Sequence, residues 1–506
     1  MINYTPLVRR RFLARLEQQL RYIDHPDSVQ QGELVKLIER ASLTAIGRKY
    51  DFSTVRTYRQ FASTVPLHRY EDLRPLIMRM VNGEADVLWR GKTFNFAQSS
   101  GTSDGKSKYI PITREAFKLN HYQGASDVMS HYLNLNPESR IFSGKGFILG
   151  GSFANELNLK PGVRVGDLSA NLIENINPLV NRFRVPSKRV ALMEDWNEKL
   201  PALVEASVGE NVTNISGVPS WFLTVIKQVL QHTGKTCIHD VWPNLEVFFH
   251  GGIAFAPYRE QYERICDMSK MHFLDTYNAS EGFFAVQSDW ESKAMLLLLD
   301  VGIFYEFIPL VHSHEEQPET IPAWEVEAGK TYELVITACN GLWRYRIGDT
   351  VKVEKINPLK ITIAGRTKSY INAFGEELMV HNADDAITRA ATETGAQVLN
   401  YTAAPVYAGD NTRGRHEWLI EFAKKPDEMG KFLSVLDARL KQVNGDYEAK
   451  RTGNIFLDPP TVVVAREGLF DDWLATTGKL GGQRKIPRLN NDRLIIDQML
   501  KMNNTI

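Results

Sequence analysis

The chain has 506 residues, and Lys+Arg and Asp+Glu each number 60, for a formal net charge of zero. That length exceeds one hydrophobic core and predicts two or more domains, while the charge balance argues against a nucleic-acid or membrane-surface protein. Three scattered cysteines, Cys237, Cys266 and Cys339, without C-x-x-C spacing, read as reduced thiols and neither a disulfide framework nor a zinc site. The N-terminus has no apolar signal core, and the longest aliphatic run, Met295–Leu299, is too short to span a bilayer. The expectation is a soluble cytoplasmic protein with no obligate protein partner evident.

In chain order, residues 7–49 predict helices, with Leu7, Arg10, Arg11, Leu13, Leu16 and Leu20 on one and Leu34, Leu37, Ile38 and Ala41 on another. Arg9–Arg11 reads as a solvated helix face in preference to a binding patch. Thr93–Ala97 and Tyr109–Thr113 alternate as strands, residues 114–132 follow as helix and 142–150 as strand. Gly144, Gly146, Gly150 and Gly151 are assigned to turns or close packing. Ser220 is placed to cap a helix over Trp221–Leu230, and Leu245–Gly252 is an apolar strand ending in two glycines. His312 and His314 lie beside Glu315 and Glu316 without further ligands at matching spacing, so they read as a surface loop. After residue 379 the pattern gives helix over 381–394, strands near 397–407 and 417–423, and helix over 427–443, a small α+β unit.

Between the first two strands lies Gln98–Lys108, which packs five hydroxyl side chains, two glycines and two lysines into eleven residues. Glycines admit an anion close to the backbone, hydroxyls donate hydrogen bonds and lysines offset charge, the composition of a polyphosphate cradle. Gly101–Ser107 imitates a Walker A loop, but the spacing is one residue short and the loop joins strands where a Walker loop opens a helix. A solvated Gly/Ser hairpin is the alternative if nothing else in the chain answers it.

Two distant stretches answer it. Thr276–Gly282 (T-Y-N-A-S-E-G) and Tyr345–Val351 (Y-R-I-G-D-T-V) follow in the order found in the acyl-acid-amido synthetases, the auxin-responsive promoter family of plants and its bacterial relatives. With the loop's S-S-G-T-S-x-G-x-x-K, the chain resembles that family over its whole length, within the adenylate-forming, firefly-luciferase-like superfamily. The resemblance implies an α/β multidomain fold: a large N-terminal adenylation domain over residues 1–365, with helix-layered sheets and a β-barrel-like part, a hinge over 366–370, and a small mobile α+β domain over 371–506. Ile361–Leu378 is similar to the superfamily hinge, with Lys368 where many relatives carry aspartate. Gln483–Arg488 is similar to a family Q-x-K-x-P-R that delivers a lysine to the nucleotide. Plant members carry another lysine near position 375, where this chain has Gly375, so the weight falls on Lys485, with Lys479 as substitute.

These residues suit acyl-adenylate chemistry, where charge builds on phosphate oxygens and catalysis is mostly positioning and electrostatics. Ser99, Ser100, Gly101, Thr102 and Ser103 would hold the phosphates of ATP, with Lys108 or Lys106 offsetting charge. Glu281 would take Mg²⁺, a hard cation bound through one or two carboxylates plus phosphate. Thr276, Asn278 and Ser280 flank Tyr277, whose ring would pack on adenine, with Gly251 and Gly252 in the loop at its edge. Asp349 would accept from the ribose hydroxyls, and Arg366 would fork onto ribose or phosphate. By the same resemblance Trp221 walls the substrate pocket, against a simpler reading as core. The leading expectation is an AMP-forming ligase joining a carboxylic acid to an amine, first of all an amino acid's; the alternatives are an acid–thiol ligase using coenzyme A and a non-catalytic nucleotide-binding relative.

Overall fold

A twelve-stranded sheet among the described residues carries most of the chain between Lys145 and Arg366. The computed structural model describes residues 2–99, 108–153, 155, 157, 159–253, 255–366, 370–376, 378–409, 412–476 and 486–504. From one edge the strands run Ile321–Pro322, Ile303–Pro309, Thr331–Ala338, Tyr345–Lys355, Lys360–Arg366, Met295–Leu297, Gly282–Gln287, His272–Ala279, Val247–Gly251, Val212–Gly217, Lys145–Ile148 and Arg184–Val185. The last five pair in parallel and the rest antiparallel. The part expected to resemble a barrel is the antiparallel half of this same sheet.

The parallel half is built from strand–helix–strand crossovers, which cover both sheet faces and demand near-continuous apolar strands. Val247–Gly251 is accordingly buried up to its final glycine. The helix Pro219–Thr233 crosses to it, burying Phe222, Leu223, Val225, Ile226, Val229 and Leu230, and Gly234 ends it in the left-handed region at φ 67°. Proline supplies the first helical residue here, since its fixed φ suits a position with no helical partner for its nitrogen. That shifts the cap to Val218, so Ser220 is not the cap but lies inside the first turn, where its hydroxyl donates to the Phe374 carbonyl at 3.4 Å.

A smaller sheet pairs Asn95–Ser99 antiparallel with Lys108–Ile112, closing with Ser99 opposite Lys108, and adds Arg164–Gly166 in parallel. The strands expected on either side of the phosphate loop are therefore in place. Most of the loop itself, including Ser100, Gly101, Thr102 and Ser103, lies outside the described residues. Past residue 378, Gln397–Val406, Arg415–Lys424 and Thr461–Ala465 form a three-stranded sheet with helices Val380–Thr394 and Met429–Val443, the expected small α+β unit. Its core is continuous with that of the parallel half: Phe222 and Phe248 belong to one apolar cluster with Phe374, Trp418 and Phe456.

The N-terminal helices correct two readings. In Thr5–Gln19 the expected leucine face packs only in part: Leu13 and Leu16 are half-buried, while Leu7 is 77% exposed and Leu20, just past the helix, 58%. Charge anchors this helix instead. Arg15 pairs with Asp127 at 2.9 Å and with Asp300 at 2.6 Å, and Gln19 donates to Asp127 at 3.0 Å. Arg9 is no solvated residue either, since its guanidinium donates to the carbonyls of Leu133 and Asn136, while Arg10 and Arg11 are exposed. His312 lies on an exposed turn, its ring paired with Glu315. Gly150 and Gly151 are close-packing glycines as expected: a Cβ on Gly151 would fall 1.9 Å from the Asp167 carboxylate.

The helix Tyr122–Leu135, entered through a π-helical turn at Ala116–His121, packs under Thr5–Gln19. His121 and His131 are buried there, and burial pushes both imidazoles down to about 4. The unfolded chain takes up these protons near pH 6.5, the folded chain only near 4, so their contribution is complete above 6.5 and lost as pH falls. We expect stability to drop by about 1.4 kcal/mol per pH unit for each histidine through that window. Urea unfolding of the parent and of His121→Gln and His131→Gln between pH 7 and 4 measures it; each variant should show a shallower acid loss.

Candidate active site

A cleft of about 1000 Å³ opens at the C-terminal ends of the parallel strands and runs toward the antiparallel half. Ser99 and Lys108, the two described ends of the phosphate loop, line it, as do Gly252, Thr276, Tyr277, Asn278, Ser280, Glu281 and Asp349. Four stretches separated by up to 250 residues of sequence thus meet at one cavity. Gly251 does not line it; it serves the cleft from behind, where a Cβ would lie 2.4 Å from the Thr276 carbonyl oxygen. Gly252 has φ 83°, the left-handed conformation that turns the chain out of its strand.

At the centre the Tyr277 hydroxyl donates to Asp349 Oδ2 at 2.6 Å, both residues being buried. The Tyr277 ring packs against Phe284, with centroids 4.8 Å apart, so its hydroxyl and one face are already committed. Glu281 sits in the turn between His272–Ala279 and Gly282–Gln287; its side chain is 8% exposed, and its main-chain carbonyl accepts from Asn340 at 2.9 Å. Lys108 Nζ donates to the Tyr345 hydroxyl at 3.5 Å and stands 6.0 Å from the Tyr70 ring. Strand pairing sets Arg366 opposite Asp349, while its side chain, like Lys106, Lys368, Lys479 and Lys485, lies outside the described residues.

Two buried ion pairs hold the strand that carries Asp349. Arg346, inside the Tyr345–Val351 motif, pairs with Glu333 at 2.6 Å and donates to the carbonyls of Ser313 and Glu315. Arg344, at φ 40°, is fixed by Glu306, by Thr320 and by the carbonyls of Ala62 and Val65. Such a backbone conformation costs about 1–3 kcal/mol for a side-chain-bearing residue and persists only when its surroundings over-determine it. The arginine of Y-R-x-G-D is thus a strut for Asp349.

The cleft also takes residues that sequence reasoning left aside. His250 is buried with Nδ1 3.5 Å from Asp275 Oδ1 and its ring stacked 4.2 Å from Phe255. Asn372, Tyr407 and Asn491 form a wall from the C-terminal part: Asn372 N donates to Asn491 Oδ1 at 2.6 Å, and the Tyr407 hydroxyl to the Asn491 carbonyl at 3.0 Å. His250 lies inside the Leu245–Gly252 strand and Asp275 adjoins Thr276–Gly282, so both were within reach; Tyr407 and Asn491 carry no local signal. Trp221 is absent from the lining. Among the described residues no three His, Cys, Asp or Glu side chains cluster as a protein-only metal site. One buried carboxylate beside the phosphate-loop strands fits a cation that takes its other ligands from substrate phosphate and water.

Family models match nearly the whole chain: the GH3 family N-terminal domain over residues 15–271, the central domain over 296–366 and the C-terminal domain over 381–494. The chain belongs to the GH3 family. Among relatives of the family, indole-3-acetic acid-amido synthetase GH3.4 of Arabidopsis thaliana is 24% identical, over 92% of this chain and 89% of the relative. Jasmonoyl-L-amino acid synthetase GH3.5 of Oryza sativa subsp. japonica is 23% identical, over 92% of each. The solved AtGH3.15 acyl acid amido synthetase in complex with 2,4-DB superposes with a TM-score of 0.63 at 19% identity, covering 99% of this chain and 97% of the other. 2-Hydroxyisobutyryl-CoA ligase in its thioesterification state gives 0.58 at 14% identity, covering 94% and 92%. This is the adenylate-forming fold.

Glu333→Ala should leave the Arg346 guanidinium buried without its carboxylate and lower stability by about 3–5 kcal/mol. Equilibrium urea unfolding gives the number; a change below about 1 kcal/mol would mean that the strand under Asp349 does not depend on the pair.

Proposed function

We propose that this GH3 protein is an AMP-forming ligase that activates a small carboxylic acid with ATP and passes the acyl group to an amine, first of all an amino acid's. The observation that carries the reading is the convergence of Ser99, Lys108, Glu281 and Asp349 on one cleft. In the first half-reaction a carboxylate oxygen attacks the α-phosphorus, the bond to the bridging oxygen breaks and pyrophosphate leaves. In the second the amine attacks the acyl carbonyl, AMP leaves with the bonding pair and the amine loses a proton. No covalent enzyme intermediate is needed, because the adenylate is already activated.

In this reading Ser99 to Ser103 donate to the phosphates and Lys108 offsets their charge. Asp349, oriented by the Tyr277 hydroxyl, accepts from the ribose, and Gly251, Gly252, Thr276, Tyr277, Asn278 and Ser280 shape the adenine end. Arg366 adds a forked contact, and Lys485 arrives from the C-terminal part. Glu281 would hold Mg²⁺, which when bound neutralises charge on the phosphates. The working division is an adenylation domain over 1–365, a hinge over 366–370 and a mobile domain over 371–506. The compartment is proposed to be the cytoplasm, consistent with the absence, among the described residues, of a helix long and apolar enough to cross a membrane.

Pyrophosphate exchange across a panel of carboxylic acids tests the first step. With a cognate acid, AMP release should rise with amino acids and not with coenzyme A, read as product mass for each acceptor. A thioester without amide would make the protein an acid–thiol ligase. Glu281→Gln should cut exchange by about a hundredfold or more, most severely at limiting Mg²⁺; parent activity there would remove Glu281 from the metal.

A further inference from the structure

The C-terminal part meets the large sheet along a seam that centres on one side chain, Trp221, outside the cleft. It stands in the first turn of Pro219–Thr233 and makes three kinds of contact at once. Its indole Nε1–H donates to the Phe374 carbonyl at 3.2 Å. The Lys450 ammonium, in a residue only 2% exposed, stands 3.8 Å from the ring centroid. Its edges pack with Trp196 at 5.6 Å and with Phe456 at 5.9 Å, and Phe456 meets Trp196 at 4.8 Å. Phe374, Lys450 and Phe456 come from the C-terminal part, Trp196 and Trp221 from the large one. Gly375, at φ 85°, lies against both partners, since a Cβ there would be 3.5 Å from Lys450 Cε and 3.6 Å from the indole nitrogen.

Neighbouring contacts share one pattern. The Tyr258 hydroxyl donates to the Ala373 carbonyl at 2.6 Å, Lys227 to the Gly409 carbonyl at 3.4 Å, and Gln261 to the Ala408 carbonyl. Among the described residues, side chains of the large part thus grip main-chain carbonyls of the small one in two segments, 373–374 and 408–409. These segments adjoin the residues that wall the cleft, Asn372 and Tyr407. The described residues of the lysine-bearing stretch behave differently. Ile486, Pro487 and Arg488 do not line the cleft: Arg488 pairs with Asp384, and Ile486 packs on the cluster of Leu419 and Phe470.

We propose that Trp221 is a positioning residue that docks the C-terminal part in the orientation used for acyl transfer to the amine. The proposal rests on the two-step reading above. Docked this way, the stretch after the hinge closes the cleft, and the carbonyl of Phe374, the ammonium of Lys450 and the ring of Phe456 are held by one indole. A buried cation over an indole is worth more than an exposed one because water no longer competes for the charge. Its loss together with that of the Nε1 hydrogen bond weakens one docked state without touching groups that bind nucleotide.

The test compares the full-length parent with Trp221→Leu, Trp221→Phe and Lys450→Met. We expect Trp221→Leu to slow amide formation from supplied acyl-adenylate by about tenfold while pyrophosphate exchange stays within about twofold. Trp221→Phe, which keeps a ring face, should recover much of the rate, and Lys450→Met should reproduce part of the loss. Independently of chemistry, amide hydrogen exchange over residues 370–376 and 405–409 should quicken in Trp221→Leu and in Lys450→Met. Equal loss of both half-reactions, or parent-like exchange protection in both variants, overturns the proposal. A chain that forms no adenylate with any acid defeats the ligase reading instead, while the exchange data still decide the docking role.

Discussion

The hydrogen bond from the Tyr277 hydroxyl to Asp349 joins the two halves of the sheet at the one place where the cleft needs them joined. Tyr277 ends a strand of the parallel half and Asp349 lies mid-strand in the antiparallel half, 72 residues apart in sequence. Three strands lie between theirs in the sheet order, about 19 Å along a flat sheet at about 4.8 Å per step, so the hydrogen bond requires the sheet to curl and bring the two strands face to face. The curl of the sheet, more than any loop, therefore brings Tyr277 and Asp349 together in the cleft. Behind Asp349 the two buried arginine–glutamate pairs resist any shift of that strand. A buried pair of this kind adds little net stability, yet it is costly to break and so favours a single arrangement.

Local pattern made some of this legible. Thr93–Ala97 and Tyr109–Thr113 alternate with period two, and both strands formed around the glycine-rich stretch. The strand and helix readings after residue 379 also held: the helix Met429–Val443 buries one face, with Phe432, Leu436 and Leu440, while the two strands carry continuous buried runs, Tyr401–Pro405 and Trp418–Glu421. The failures share a cause as well. Leu7 and Leu20 satisfy a helical period, but the surface beneath Thr5–Gln19 offers Asp127 and Asp300, and ion pairs to these carboxylates decided which face turned inward. Ser220 has the chemistry of a cap but stands two residues after Val218, and Pro219 fixed the register first.

The candidate site was legible where one motif carried both chemistry and geometry. Glu281 and Asp349 fall in short stretches whose residue types already state a role, and both reached the cleft. The wall made by Asn372, Tyr407 and Asn491 was not legible, because each comes from a different segment and contributes only after the C-terminal part has docked. Docking of one folded unit on another leaves no periodicity in either sequence. Trp221 shows the difficulty well: its surroundings allow core or pocket, and its actual place is a seam.

That seam bears on Gly375, where the resemblance to the plant family leads to the expectation of a nearby lysine. The left-handed backbone at φ 85° strains any residue with a side chain, and the space beyond it is taken by the indole of Trp221 and the stem of Lys450. A lysine here would carry that backbone strain and set its Cβ against both groups. The chain nevertheless brings an ammonium beside the same point, from the helix Gly445–Arg451. That charge is engaged by an aromatic face on the large part, so in this arrangement it holds the two parts together. A cation brought in from a separate helix thus reaches this point without a side chain at the left-handed position.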